Sequence, residues 1–181
     1  MNATDCIKTR RSIRNYKEEQ IPQGVINEVV ELARFAPSWK NSQIARYYVV
    51  QNPELKAKIA ESCVMGFAYN TGTLAKAPAL VVLAYVEKRS GYERDGSYTT
   101  SKESAWEMFD AGIAAQTFCL AAHEKGLGTC IMGIFDDKAV AEAIALPEGQ
   151  KVGALVAIGY PSEEPVAPAR KEVEQLVTFL S

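Results

Sequence analysis

The sequence predicts a single three-layer domain of the α/β or α+β class, and three observations carry the prediction. Several segments place apolar residues at helical spacing. Four short segments between them are rich in β-branched and aromatic residues. Those four are apolar almost continuously rather than in alternation, as expected of strands with helices over both faces of their sheet. A length of 181 residues suits one domain, able to bury roughly 70% of its unfolded surface. Neither repeats, low-complexity tracts nor Gly/Ser linkers divide it, so residues 1–181 are read as one unit.

The elements follow in chain order. Between residues 22 and 36, Ile26, Val29, Val30 and Ala33 line one helical face. Asn52 and Pro53 open a second helix as cap and first-turn residue, and Leu55, Ile59 and Cys63 carry it toward Asn70. A third spans 104–125 with Gly126 just past its end. It is apolar nearly all round between Ala111 and Ala122, which assigns it to the core. Strands are predicted at 46–51, 80–86, 129–135 and 152–160. Asp136 and Asp137 start a helix toward Leu146, and Val173, Leu176, Val177 and Leu180 mark an amphipathic helix near the C-terminus. The stretch 87–102, with Gly91, Tyr92, Arg94, Gly96 and Tyr98, fits neither period. Such a long loop is either a lid or binding loop, or a solvated excursion.

Composition removes several classes of function. Hydrophobic residues make up 48% and charged residues 23%, and the formal net charge of −2 gives nucleic acid no general attraction. The longest apolar run, 77–86, contains Pro78 and falls short of the roughly 20 residues that span a bilayer. The first residues, Met1-Asn2-Ala3-Thr4-Asp5, lack the apolar core of a secretory signal, so a cytoplasmic protein is expected. Cys6, Cys63, Cys119 and Cys130 are irregularly spaced and read as buried thiols rather than a metal knuckle or disulfide framework. The one histidine, His123, excludes multi-histidine metal sites, and no metal is expected.

The charge placement is more informative. Lys8, Arg10, Arg11, Arg14 and Lys17 cluster against Asp5 alone. Arginine forks beside the Ser12 hydroxyl suit a phosphate monoester; the competing reading is a solvated basic turn. Gly126-Leu127-Gly128 is no dinucleotide fingerprint, because it follows a helix and enters a strand. It reads as a helix cap and tight turn, whereas Gly133 inside a strand would let a ligand approach the backbone. Cys119 and His123 sit at i, i+4 and could in principle form a thiolate pair, but a thiol on a buried apolar helix is ordinarily inert. Asp136-Asp137 and Glu163-Glu164 fall at caps and turns. With so little acid/base machinery, and no catalytic side chain assigned, any difficult chemistry belongs to a bound cofactor.

These residues together resemble the FMN-dependent nitroreductase family in its short form, over nearly the whole chain. The resemblance rests on Arg10-Arg11-Ser12-Ile13-Arg14, Ala36-Pro37-Ser38 with Asn41-Ser42-Gln43, Gly126-Leu127-Gly128-Thr129 running to Met132-Gly133, and Ile158-Gly159-Tyr160-Pro161 with Arg170-Lys171. It implies an α+β, three-layer α/β/α sandwich around a mixed, mainly antiparallel sheet. It also implies an intertwined homodimer with two FMN sites at the interface, with NADH or NADPH as reductant. Arg10 and Ser12 would hold the phosphate and ribityl end, joined by Arg170 and Lys171. Arg14 would face the pyrimidine edge, with Arg11 lining the same segment, and Asn70 would contact the ring. Backbone at Ile131, Met132 and Gly133 would line the edge near N5, and Pro37, Ser38, Trp39 and Asn41 would reach in from the partner subunit. The activity implied is a ping-pong hydride transfer from nicotinamide to the flavin and on to a nitro, quinone or related small acceptor, with neither nucleic acid nor membrane as partner. Trp39 and Lys40 stand where relatives often carry small residues. Trp39 could therefore stack on the flavin or fill the acceptor space, and the alternative function is a flavin-binding redox sensor or store without efficient turnover.

Overall fold

Four strands form the middle layer: β1 (Ala45–Val50), β2 (Ala79–Val86), β3 (Gly128–Met132) and β4 (Gln150–Gly159), in the spatial order β1-β2-β4-β3. The computed structural model describes residues 1–180. All three strand pairings are antiparallel, and the parallel component of the sheet is one bridge between Ser12 and Thr129. The helices are α1 (Ala3–Thr9), α2 (Gln23–Ala33), α3 (Pro53–Ser62), α4 (Ala68–Lys76), α5 (Ala105–Glu124) and α6 (Asp137–Ala143).

The continuous apolar character of the central strands has the expected cause. Leu80, Val82, Leu155 and Ala157 face one side and pack with Ile59, Ala60, Leu74 and Val140 from α3, α4 and α6. Their neighbours Ala79, Val81, Val156 and Ile158 face the other, against Ile26, Val29, Phe118 and Ala122 from α2 and α5. Strand side chains alternate between faces, and here both faces are dry. Full burial of a side chain the size of Leu80 or Leu155 is worth roughly 2 kcal/mol.

Local chemistry sets the helix ends. Asn52 Oδ1 accepts from Leu55 N at 2.8 Å with Pro53 at the first position of α3. Asp136 Oδ1 accepts from Lys138 N and Ala139 N at the start of α6. Gly126, with φ 77°, occupies the left-handed position beyond α5. The short α1, absent from the sequence expectations, is capped by Asn2, whose Oδ1 accepts from Asp5 N at 2.9 Å.

Three expected elements differ. The helix predicted to run from Asn52 to Asn70 is two: α3 stops at Ser62, Met65 (φ 52°) and Gly66 (φ 69°) turn left-handed, and Asn70 lies inside α4. The third long strand ends at Met132, so Gly133 is outside it. The chain leaves the sheet there because Ile134 O accepts from Asn70 Nδ2 (2.9 Å) and Asp136 N donates to Cys63 O (2.8 Å). The C-terminal amphipathic helix is only a 3-10 turn, Val173–Gln175, with Val173, Leu176, Val177 and Leu180 exposed. Without a surface of the same chain to cover, so short a segment lacks the packing that stabilises helices. Among the described residues no helix is long and apolar enough to cross a membrane, and no group of three His, Cys, Asp or Glu side chains could hold a metal ion.

Candidate active site

The basic segment is built on the open edge of β3. Ile13 N donates to Thr129 O at 2.9 Å, and Ile13 itself is buried. Gly128 makes that possible: a Cβ there would stand 2.5 Å from Ile13 Cγ1. Tyr16, also buried, donates its hydroxyl to Ile13 O and Ala157 O, and Lys17 N donates to Tyr160 O. With Ile13 turned into the core, alternation along this extended stretch puts Arg10, Ser12 and Arg14 on the opposite side. These three, with Arg11 and Arg170, line a cavity of about 260 Å³ closed by Pro165, Val166 and Pro168. Among the described residues none of these four arginines has a carboxylate within 4.0 Å. Arg11 donates to Lys8 O and Arg10 O, and Arg14 to Ser12 O at 3.4 Å. Lys171 is exposed and lies outside the lining.

Beyond the Ser12 bridge, the same edge of β3 is bare. Thr129 O points to that edge, and strand periodicity turns the backbone N–H and C=O of Ile131 the same way. Next to it, Gly133 has nothing within 4 Å of the position a Cβ would take. Asn70 is buried and spends its Nδ2 on Ile134 O, fixing the backbone that follows β3. Arginines, a hydroxyl, a bare strand edge and an open glycine form a donor set that suits a phosphorylated, planar, hydrogen-bonding cofactor such as FMN.

The 38–43 turn is elsewhere. Pro37 and Ser38 line a separate groove of about 450 Å³ between α2, β1 and α5. Lys40 (φ 44°), Asn41 (φ 55°) and Gln43 (φ 49°) are all left-handed, each disfavoured by on the order of 1 kcal/mol. Opposing that strain, the buried Asp110 on α5 takes Trp39 N at 2.9 Å and Ser42 Oγ at 3.4 Å on Oδ2, and Gln43 N donates to Ser38 Oγ. An intramolecular hydrogen bond is worth about 0.5–1.5 kcal/mol net, so the set together offsets much of the strain. The Trp39 ring lies 4.5 Å from Trp106 of its own chain, and its Nε1 is buried without a partner among the described residues. The loop at 87–102 is an ordered excursion: Tyr92 and Tyr98 form a bridge, and Lys40 Nζ meets Glu93 Oε1 at 2.8 Å.

The other candidates carry no chemistry. His123 Nε2 is bonded to Thr9 Oγ1 at 2.8 Å, and burial pushes the Cys119 thiol up, away from the thiolate. A cavity of about 810 Å³ lies behind the basic segment, lined by Thr9, Arg11, Ile13 and His123 among others. It belongs to the face opposite Arg10, Ser12 and Arg14.

The profile described as "Nitroreductase family" matches residues 7–160, which is most of the chain. The chain belongs to the nitroreductase family. It is 28% identical to the NADH dehydrogenase of Thermus thermophilus over 99% of this chain and 96% of that one. It is 26% identical to the iodotyrosine deiodinase of Thermotoga neapolitana over 97% of each. Among solved structures, an FMN-dependent nitroreductase of Clostridium difficile is 26% identical, covers 98% of this chain and superposes with a TM-score of 0.78.

Of the residues singled out in the sequence, Arg10, Arg11, Ser12, Arg14 and Arg170 line one cavity. Asn70 joins the end of β3. Pro37, Ser38, Trp39 and Asn41 do not meet that cavity within one chain. Asp110, Ser90 and Glu107 escaped notice. All three are buried polar groups, and the available signal is a pair of carboxylates, Glu107 and Asp110, three residues apart at the start of the core helix.

Proposed function

We propose that this chain is an FMN-dependent NAD(P)H oxidoreductase that works as a homodimer with its flavin sites at the subunit interface. The observation that carries the reading is the cavity where Arg10, Ser12, Arg14 and Arg170 converge without an acidic partner among the described residues. Guanidinium forks bind phosphate oxygens in pairs. Arg10, Ser12 and Arg170, joined by Lys171, would hold the phosphate and ribityl end. Arg14 would stand at the pyrimidine edge, Arg11 would line the segment, and Asn70 would touch the ring. Backbone at Ile131, Met132 and Gly133 would line the other edge. Pro37, Ser38, Trp39 and Asn41 would come from the partner subunit.

When bound, FMN supplies the two-electron chemistry between NADH or NADPH and a small nitro, quinone or related acceptor. The protein's share is position and charge. A preorganised guanidinium at Arg14 stabilises negative charge at the pyrimidine edge without reorganising at the moment of reaction. Hydride transfer asks for no protein base, in keeping with the scarcity of acid/base groups around the cavity. The deiodinase relative makes iodinated tyrosine a further acceptor to assay. Exposed Phe35, Met108 and Phe109, together with the apolar C-terminal tail, support burial of surface in a dimer.

The test is direct. Purified protein is expected to be yellow, to release FMN on denaturation, to bleach with NADH or NADPH, to turn over repeatedly with a quinone or nitro acceptor, and to sediment as a dimer. A protein that stays colourless after incubation with FMN overturns the reading. Slow reduction with no acceptor preference would favour a sensor, and a folded monomer that retains FMN would remove the shared site.

A further inference from the structure

Asp110 is 4% exposed and sits in the second turn of α5. One of its oxygens, Oδ2, receives three donors from two separate parts of the chain. Trp39 N (2.9 Å) and Ser42 Oγ (3.4 Å) come from the left-handed 38–43 turn. Ser90 Oγ (2.6 Å) comes from the foot of the 87–104 loop and is completely buried. Among the described residues no cation lies within 4.0 Å of this carboxylate, so its charge is met by these donors alone. Glu107, one turn earlier, accepts from Lys88 N at 2.5 Å and fastens the same foot. On the outer side, Lys40 Nζ reaches Glu93 Oε1, and Trp106 Nε1 donates to Thr100 Oγ1 at 2.9 Å.

We propose that Asp110 is the positioning residue that fixes both the 38–43 turn and the 87–104 loop, and so sets the shape of the acceptor side of the site. The inference rests on the reading above that Trp39 and Asn41 border the flavin. A backbone held left-handed at three non-glycine residues persists only where its surroundings over-determine it, and a buried carboxylate oxygen shared with the loop is that constraint. All three bonds converge on a single oxygen, so an amide oxygen can replace it: geometry, rather than charge, is what Asp110 contributes.

The experiment uses the chain's own reporters. Trp39 and Trp106 are the only two tryptophans, and their rings are in contact, so their coupled circular-dichroism signal reads the position of the turn whether or not flavin is bound. Trypsin cleavage within 87–104 reads the loop. Asp110→Ala is expected to lose the coupled signal, cleave at least tenfold faster, and raise the KM for a quinone acceptor about tenfold with kcat changed less than threefold. Asp110→Asn is expected to retain the signal and keep KM within about threefold of wild type. Ser90→Ala is expected to speed cleavage while leaving the tryptophan signal intact, and it carries the test if Asp110→Ala does not fold. An unchanged signal in Asp110→Ala, failure of Asp110→Asn to rescue, or unchanged cleavage in Ser90→Ala overturns the inference. A colourless wild-type protein that still shows these optical and proteolytic changes overturns the flavin reading and leaves the Asp110 anchor standing.

Discussion

The basic segment at 10–16 and the turn at 38–43 are both irregular backbone, yet opposite devices hold them. Apolar burial fixes the first: Ile13 fills the space that Gly128 leaves, Tyr16 is buried beside it, and the arginines merely ride on the far side. A polar anchor fixes the second, where Trp39 and Ser42, which flank the strained residues, hang from one carboxylate oxygen of Asp110. Charge in the basic segment is therefore free to bind a ligand, whereas the carboxylate oxygen behind the 38–43 turn is already occupied by the fold. A cation whose removal leaves the core untouched is a binding group; a carboxylate whose removal frees two loops is a scaffold.

The largest expected effect breaks the basic segment's function without breaking its fold. Replacing Arg10 and Arg14 together by Ala removes two guanidinium groups that have no carboxylate partner among the described residues. Charge-assisted hydrogen bonds are worth about 1.5–3 kcal/mol each, so FMN retention should fall at least a hundredfold, with thermal stability of the flavin-free protein nearly unchanged. Fluorescence titration of free FMN and a melting curve of the flavin-free protein measure the two quantities. Unaltered FMN affinity would remove the foundation of the proposed function.

Much of this was legible in the sequence, for identifiable reasons. Arginines around a serine stand out against a chain of net charge −2, and the long apolar helix could belong only to the core. Asn52 and Pro53 announce α3 because the capping chemistry is local. The break before α4 was hidden because Leu55, Ile59 and Cys63 keep helical spacing up to the turn, and Gly66 was its only warning. The sequence places Gly133 in a strand because the apolar run continues through Ile134 and Phe135, while the bond from Asn70 that ends β3 comes from 64 residues away. Asp110 was illegible for the same reason, since its partners are 20 and 71 residues distant. Local signals survive in sequence; long-range polar bonds do not.

Two glycine substitutions of opposite sense sharpen the contrast between the regions. Gly128→Ala forces a Cβ within 2.5 Å of Ile13 Cγ1 and 2.7 Å of Ile13 Cβ, and trimming Ile13 to Val leaves both of those atoms in place. Overpacking of this kind costs about 2 kcal/mol, so Gly128→Ala should be destabilised by that amount in urea and should also bind FMN less tightly. Gln43→Gly does the reverse. Gln43 is exposed and left-handed, and its backbone bond to Ser38 Oγ survives the change. Relief of strain exceeds the added freedom of the unfolded chain only slightly, giving a gain of about 0.5 kcal/mol. Destabilisation by Gln43→Gly would mean that the side chain, rather than the backbone, holds the turn.

The smallest effect concerns pH and the wall behind the basic segment. Burial, reinforced by the charges of Arg10 and Arg11, lowers the His123 imidazole from its ordinary 6.5, and the ring is bonded to Thr9. The folded protein thus takes up this proton less readily than the unfolded chain. The sign follows: the contribution to stability is fully present above pH 6.5 and is lost as the pH falls through that value toward the lowered native one. His123→Gln should flatten this part of the pH profile. As the only histidine, His123 gives a single imidazole resonance whose titration midpoint can be followed directly. In Arg10→Ala the midpoint should move back toward 6.5 without reaching it, because burial is the larger cause. A midpoint unmoved by loss of Arg10 would show that the guanidinium's field is confined to the cavity side and does not reach through the segment that carries it.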